Sequence, residues 1–197
     1  SKLTPAEIGY HHILSLKQNG VPVNYHVEGT ILEVTLAQSI KPRGKAILDM
    51  EFKSQVPVQI RRTGRNNKEG IAYSMSQWYP KLCEYDYQGW HANPYVAREF
   101  YGIWGDFDVK LKIDKKYVVA AGGYLQNPTE VGHGYAAPET ILKLPKGEKL
   151  LWHFKAPNVH DFMWAADPEY KHIHLVNNDG IDMHFFFQEN DKTKNTW

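Results

Sequence analysis

Apolar and polar residues alternate along much of this chain. Val21, Val23, Tyr25 and Val27 are separated by polar neighbours, as are Leu32, Val34 and Leu36, then Ala46, Leu48, Met50 and Phe52. The period of two returns at Phe107, Val109, Leu111 and Ile113, and at Leu150, Trp152 and Phe154. It closes with Ile173 and Leu175, then Ile181, Met183 and Phe185. Successive side chains of a strand point to opposite faces, so each run predicts a strand with one buried side. Turn signals lie between the runs: Lys41-Pro42-Arg43-Gly44, Pro145-Lys146-Gly147 and Asn177-Asn178-Asp179-Gly180. The last predicts a hairpin closed by a type I′ turn, because Asp-Gly tolerates its positive φ. The pattern as a whole predicts an all-β fold, antiparallel, built as a sandwich or a saddle-shaped curved sheet.

Helical signals are few. Thr4-Pro5-Ala6-Glu7 combines a capping threonine, a proline at the first position and an acid in the first turn. It predicts a helix over residues 4–18 closed by Asn19-Gly20, with an extended arm as the alternative for residues 1–20. A second short helix is predicted over residues 94–100. The polar tail, residues 190–197, reads as a frayed end. No repeat, low-complexity stretch or internal boundary is evident, so residues 1–197 read as one β-rich domain.

Composition narrows the class. Lys plus Arg is 23 against 22 Asp plus Glu, a net charge of +1, with 42% hydrophobic residues. That excludes a disordered chain and argues against nucleic acid as partner. No apolar run is long enough to predict a membrane span. The single cysteine, Cys83, excludes an internal disulfide; it has no nearby base and reads as a packed thiol. The start, Ser1-Lys2-Leu3-Thr4, has neither initiator methionine nor signal-peptide pattern, and reads as a processed protein or a piece of a longer one.

Candidate chemistry is sparse. The chain has no phosphate-cradling Gly-rich loop, no His-Glu-x-x-His and no Gly-x-Ser-x-Gly; Gly132-His133-Gly134 lacks dinucleotide spacing. His172 and His174 share one face of a predicted strand, and His184 across the hairpin could supply a third metal ligand. The alternative is a solvent-facing polar side, since Ile173 and Leu175 take the apolar one. Asp106 and Asp108 share a face but read as turn chemistry before a strand. Ten aromatics between Tyr73 and Trp104 form either a packed core segment or an exposed platform for sugars or other flat ligands.

Several runs carry a family resemblance: Ser74-Met75-Ser76-Gln77-Trp78-Tyr79-Pro80-Lys81, Gly89-Trp90-His91, and the stretch from Glu99 through Gly105-Asp106-Phe107-Asp108-Val109. Tyr117-Val118-Val119-Ala120-Ala121-Gly122-Gly123 and Val159-His160-Asp161-Phe162-Met163-Trp164-Ala165-Ala166 add to it. Over residues 31–167 the chain resembles the non-catalytic N-terminal domain of the aminopeptidase N family of zinc metallopeptidases, in its Bacteroidetes-like secreted or periplasmic branch. The resemblance implies a β-rich domain that covers the cleft of a following catalytic domain and contacts the N-terminus of the peptide substrate. It implies that Gln77, in Ser76-Gln77, lies beside the first side chain of the substrate. It places Tyr79 where many members carry a Glu or Gln near the free amino group, a departure from the family pattern. Zinc, its ligands and the Gly-x-Met-Glu-Asn loop belong to the catalytic domain, so this chain is expected to hold no catalytic residue and no cofactor and to be inactive alone. A periplasmic or envelope location follows from the same resemblance. The competing expectation is a free-standing carbohydrate- or protein-binding β-sandwich module.

Overall fold

The computed structural model describes residues 3–93, 102–191 and 193. It is nearly all strand, and every strand pairing among the described residues is antiparallel. The chain read above as one domain divides into two compact units, residues 1–58 with 80–103 and residues 59–79 with 104–197.

In chain order the strands are β1 (Tyr10–Gln18), β2 (Val21–Pro22), β3 (Asn24–Glu28), β4 (Ile31–Thr35), β5 (Leu48–Gln55), β6 (Gly64–Arg65), β7 (Tyr73–Met75), β8 (Tyr85–Asp86) and β9 (Gly89–Trp90). They continue with β10 (Gly105–Asp114), β11 (Val118–Ala121), β12 (Tyr124–Leu125), the one-turn helix α1 (Pro128–Val131), β13 (Lys149–Val159), β14 (Trp164–Asp167), β15 (Tyr170–Val176) and β16 (Asp182–Gln188). The first unit holds a β2-β1-β5 sheet and the hairpins β3-β4 and β8-β9. The second holds a β10-β13-β12 sheet, a β11-β14-β7-β6 sheet and the hairpin β15-β16.

The helix predicted over residues 4–18 is overturned. Only one turn forms: the Glu7 carboxylate accepts from the Thr4 amide at 2.8 Å and the Thr4 hydroxyl at 2.7 Å. From Tyr10 the chain is extended and pairs with β5 over its whole length. A single turn is a costly nucleus, whereas the alternating 48–55 segment offers a complete ladder of partners. The extended alternative described this stretch, but as a paired strand and not an arm. The predicted helix over 94–100 lies outside the described residues, as does most of the 190–197 tail.

The core sits in the second unit. On β13 Leu150, Trp152, Phe154 and Ala156 are all buried, alternating with exposed or half-exposed neighbours. Phe107, Val109, Leu111 and Ile113 of β10 pack on this face, and Val119, Phe162 and Ala166 close it. Eight residues in this cluster remove apolar surface from water, the main favourable term in folding. The first unit buries less: Leu16, and Gln18, whose amide nitrogen donates to the Gln38 carbonyl at 2.8 Å and whose amide oxygen accepts from the Gln38 amide at 2.9 Å.

Candidate functional site

Two features of the second unit bear on function. The first is the turn after β7. Ser76 precedes Gln77, and its carbonyl and hydroxyl both meet the Thr63 hydroxyl. Trp78 follows, and its indole N–H donates to the Phe162 carbonyl at 3.1 Å. The Tyr79 hydroxyl donates to the Asp161 carboxylate at 3.0 Å, and the same oxygen accepts the Phe162 amide at 2.8 Å. Burial, and then the Asp161 charge, hold the Tyr79 phenol well above its ordinary titration range. Between these anchors Gln77 has a φ of 53°. That left-handed conformation is uncommon for a residue with a Cβ and persists only where the surroundings fix it. The Gln77 side chain is half-buried and makes no hydrogen bond among the described residues. The two residues singled out for substrate contact therefore differ. Gln77 presents an uncommitted amide, while Tyr79 is tied inward to Asp161.

The second feature is the β15-β16 hairpin. Register places Tyr170, His172 and His174 on one face with Gln188, Phe186 and His184. That face packs inward on Tyr135, whose ring centroid lies 4.5 Å from that of His172 and 5.4 Å from that of His184. The opposite face carries Ile173, Leu175 and Phe185, which are 48%, 42% and 38% exposed. Ile173 and Leu175, expected inward, are thus exposed, while His172 is half-buried and His174 and His184 remain exposed. Imidazole rings stack on aromatic faces as well as bonding to water, and here the rings form a continuous column. Phe186 to His172 is 4.4 Å, His172 to His184 5.0 Å and His184 to His174 4.7 Å. The connection is also not the two-residue turn predicted. Asn177 accepts the amides of Asp179 at 3.0 Å and Ile181 at 2.8 Å, and only Gly180 in this loop takes a positive φ, 78°.

Sequence reasoning missed Asp182 and the role of Gly132-His133-Gly134. All three residues of that turn have positive φ, 70°, 51° and 79°. The turn aims the His133 carbonyl at His172 Nδ1, 2.9 Å away. The carboxylate of Asp182 meets His174 Nε2 and lies 3.6 Å from His184 Nε2. One ligand atom each from His174, Asp182 and His184 fall within 4.8 Å of one another. A cavity of about 230 Å³ lies beside them, lined by Asp182, His184, Phe186, Tyr135, Leu125 and Phe154 among others.

The remaining candidates lie apart from these two features. Asp106 accepts the Asn158 amide at 2.8 Å, and Asp108 pairs with His153 at 2.8 Å. Cys83 is half-buried in an isolated bridge to Gly102. The aromatic run divides: Tyr73 and Trp78 pack against the core, whereas Tyr85, Tyr87 and Trp90 are exposed on and around the β8-β9 hairpin of the first unit. Tyr95, Phe100 and Tyr101 lie outside the described residues. Comparison with protein-family models, curated proteins and solved structures returns no match.

Proposed function

We propose that this chain is the non-catalytic, β-rich N-terminal part of an aminopeptidase N-like zinc peptidase. In this reading it covers one side of the cleft of a catalytic domain in the same polypeptide and offers Gln77 to the first residue of a peptide substrate. The observation that carries the reading is the turn after β7. Thr63, Phe162 and Asp161 hold the residues on either side of Gln77, and its own amide is uncommitted. A polar group whose backbone is held this way recognises a substrate at the cost of ordering its own side chain alone. Tyr79 acts as an anchor of that turn. The outward face of β15-β16, with Ile173, Leu175 and Phe185, supplies an apolar surface of the kind a docked domain covers. Zinc belongs to the catalytic domain in this reading, and an envelope location accompanies it.

The test is kinetic. In the polypeptide that carries both this chain and a His-Glu-x-x-His domain, Gln77→Ala is expected to change relative kcat/KM across a panel of aminoacyl substrates. The melting temperature is expected to stay within a few degrees of the parent. An unchanged ranking of substrates would remove Gln77 from the site.

A further inference from the structure

We propose that His174, Asp182 and His184 form a binding site for a divalent transition-metal ion, with His172 as the positioning residue. The inference does not depend on the peptidase reading, which places its zinc elsewhere.

The hydrogen bonds along the ring column decide where the lone pairs point. The His133 carbonyl can only accept, so His172 Nδ1 carries a proton. In this Nδ1–H tautomer of His172 the Nε2 is an acceptor, and His184 Nδ1, 2.8 Å away, is the donor. That leaves His184 Nε2 with a free lone pair, on the side of the ring that faces Asp182. A metal-ligating histidine is commonly oriented in this way, by a hydrogen bond from its other nitrogen.

Distances fit the same conclusion. Ligand atoms about 2.0–2.2 Å from a tetrahedral zinc lie about 3.3–3.5 Å from one another. His184 Nε2 and Asp182 Oδ2 are 3.6 Å apart and the triad's ligand atoms lie within 4.8 Å, while His174 Nε2 hydrogen-bonds the other Asp182 oxygen, a contact the metal would replace. Two imidazoles and one carboxylate are the donor set of zinc and its first-row neighbours and not of calcium or magnesium, which prefer oxygen. Three protein ligands leave one position for water or an exogenous carboxylate, and the adjoining cavity, lined by Asp182 and His184, gives it a place. The ligands are exposed, so substituting them removes donors without opening a core.

The test is a titration of the 197-residue chain with Zn²⁺ near neutral pH, repeated with Co²⁺ to read coordination from its visible spectrum. One equivalent is expected to bind, giving the intense bands of a four-coordinate Co²⁺ site. His174→Ala, Asp182→Asn and His184→Ala should each weaken binding by about tenfold or more. His172→Phe keeps the ring column but removes the acceptor for His184, and should weaken binding by about tenfold while the stoichiometry stays at one. His153→Ala, remote from the column and paired with Asp108, should change nothing. Substoichiometric binding, an affinity unchanged from the parent in the His174 and His184 variants, or an equal loss in His153→Ala would overturn the assignment.

Discussion

Trp152 has no exposed surface, and its ring lies 6.3 Å from Phe154 and 5.6 Å from Tyr135. Trp152→Ala is expected to cost about 3–5 kcal/mol, read from the shift of a urea unfolding midpoint. Trp164 behaves differently. It is only half-buried, between Trp78 and Tyr73, and its indole N–H, like that of Trp152, is buried without a partner among the described residues. Replacing it by phenylalanine removes an unpaired donor along with some contact area, so Trp164→Phe should stay within about 1 kcal/mol of the parent. A loss as large as that of Trp152→Ala would mean the indole ring itself fills the core. At this scale the sequence was only partly legible. Spacing pointed to the three histidines and the family resemblance to Gln77, but nothing local marks the Tyr79 hydroxyl as the partner of an aspartate 82 positions away. The place of Asp182 beside His174 and His184 was invisible for a similar reason, since it depends on the register of the hairpin.

Among the elements, strands that alternate strictly were readable directly, as β10, β13 and β5 show. β1 was not. A bulge between Ile13 and Ser15 breaks its register, and the helix-start signal at Thr4 competes with it. β11 and β14 are four-residue runs, too short for a period to appear. The β15-β16 hairpin shows a further limit. Periodicity tells which residues share a face, but not which face the rest of the fold will cover. A sharp element-scale prediction concerns the turn between β11 and β12. Gly123 has a φ of 81°, and a Cβ there would lie 2.4 Å from the Lys155 carbonyl oxygen and 2.7 Å from the Ala156 side chain. Gly123→Ala is expected to cost about 2–4 kcal/mol from strain and overlap together. Gly122→Ala next to it meets open space and should lie within about 0.5 kcal/mol of the parent. Urea unfolding of the two variants separates the outcomes, and equal stabilities would show that β13 yields at this point.

For the whole molecule, neutral phenols impose a pH dependence. Burial raises Tyr79 and Tyr135, and burial followed by the Asp167 charge raises Tyr170 to about 12, against an ordinary value of 10.0. The folded state therefore favours the protonated phenols. Their contribution is fully present below the unfolded value and is lost as pH rises through 10.0 toward the folded values. The melting temperature should fall on alkaline titration, and less steeply in Tyr79→Phe. Parallel curves would mean that the Tyr79 phenol titrates alike in both states. The division into two units was not legible, because the second unit is assembled from two stretches separated by residues 80–103 and no linker composition marks the crossings. The all-β class was legible, because it follows from periodicity summed over many runs.

The central claim is that this chain walls the cleft of a zinc aminopeptidase, and the coding frame downstream of Trp197 tests it most directly. The account predicts that the frame continues into a domain carrying His-Glu-x-x-His, a further zinc-binding glutamate and a Gly-x-Met-Glu-Asn loop. A stop codon immediately after Trp197 would contradict it.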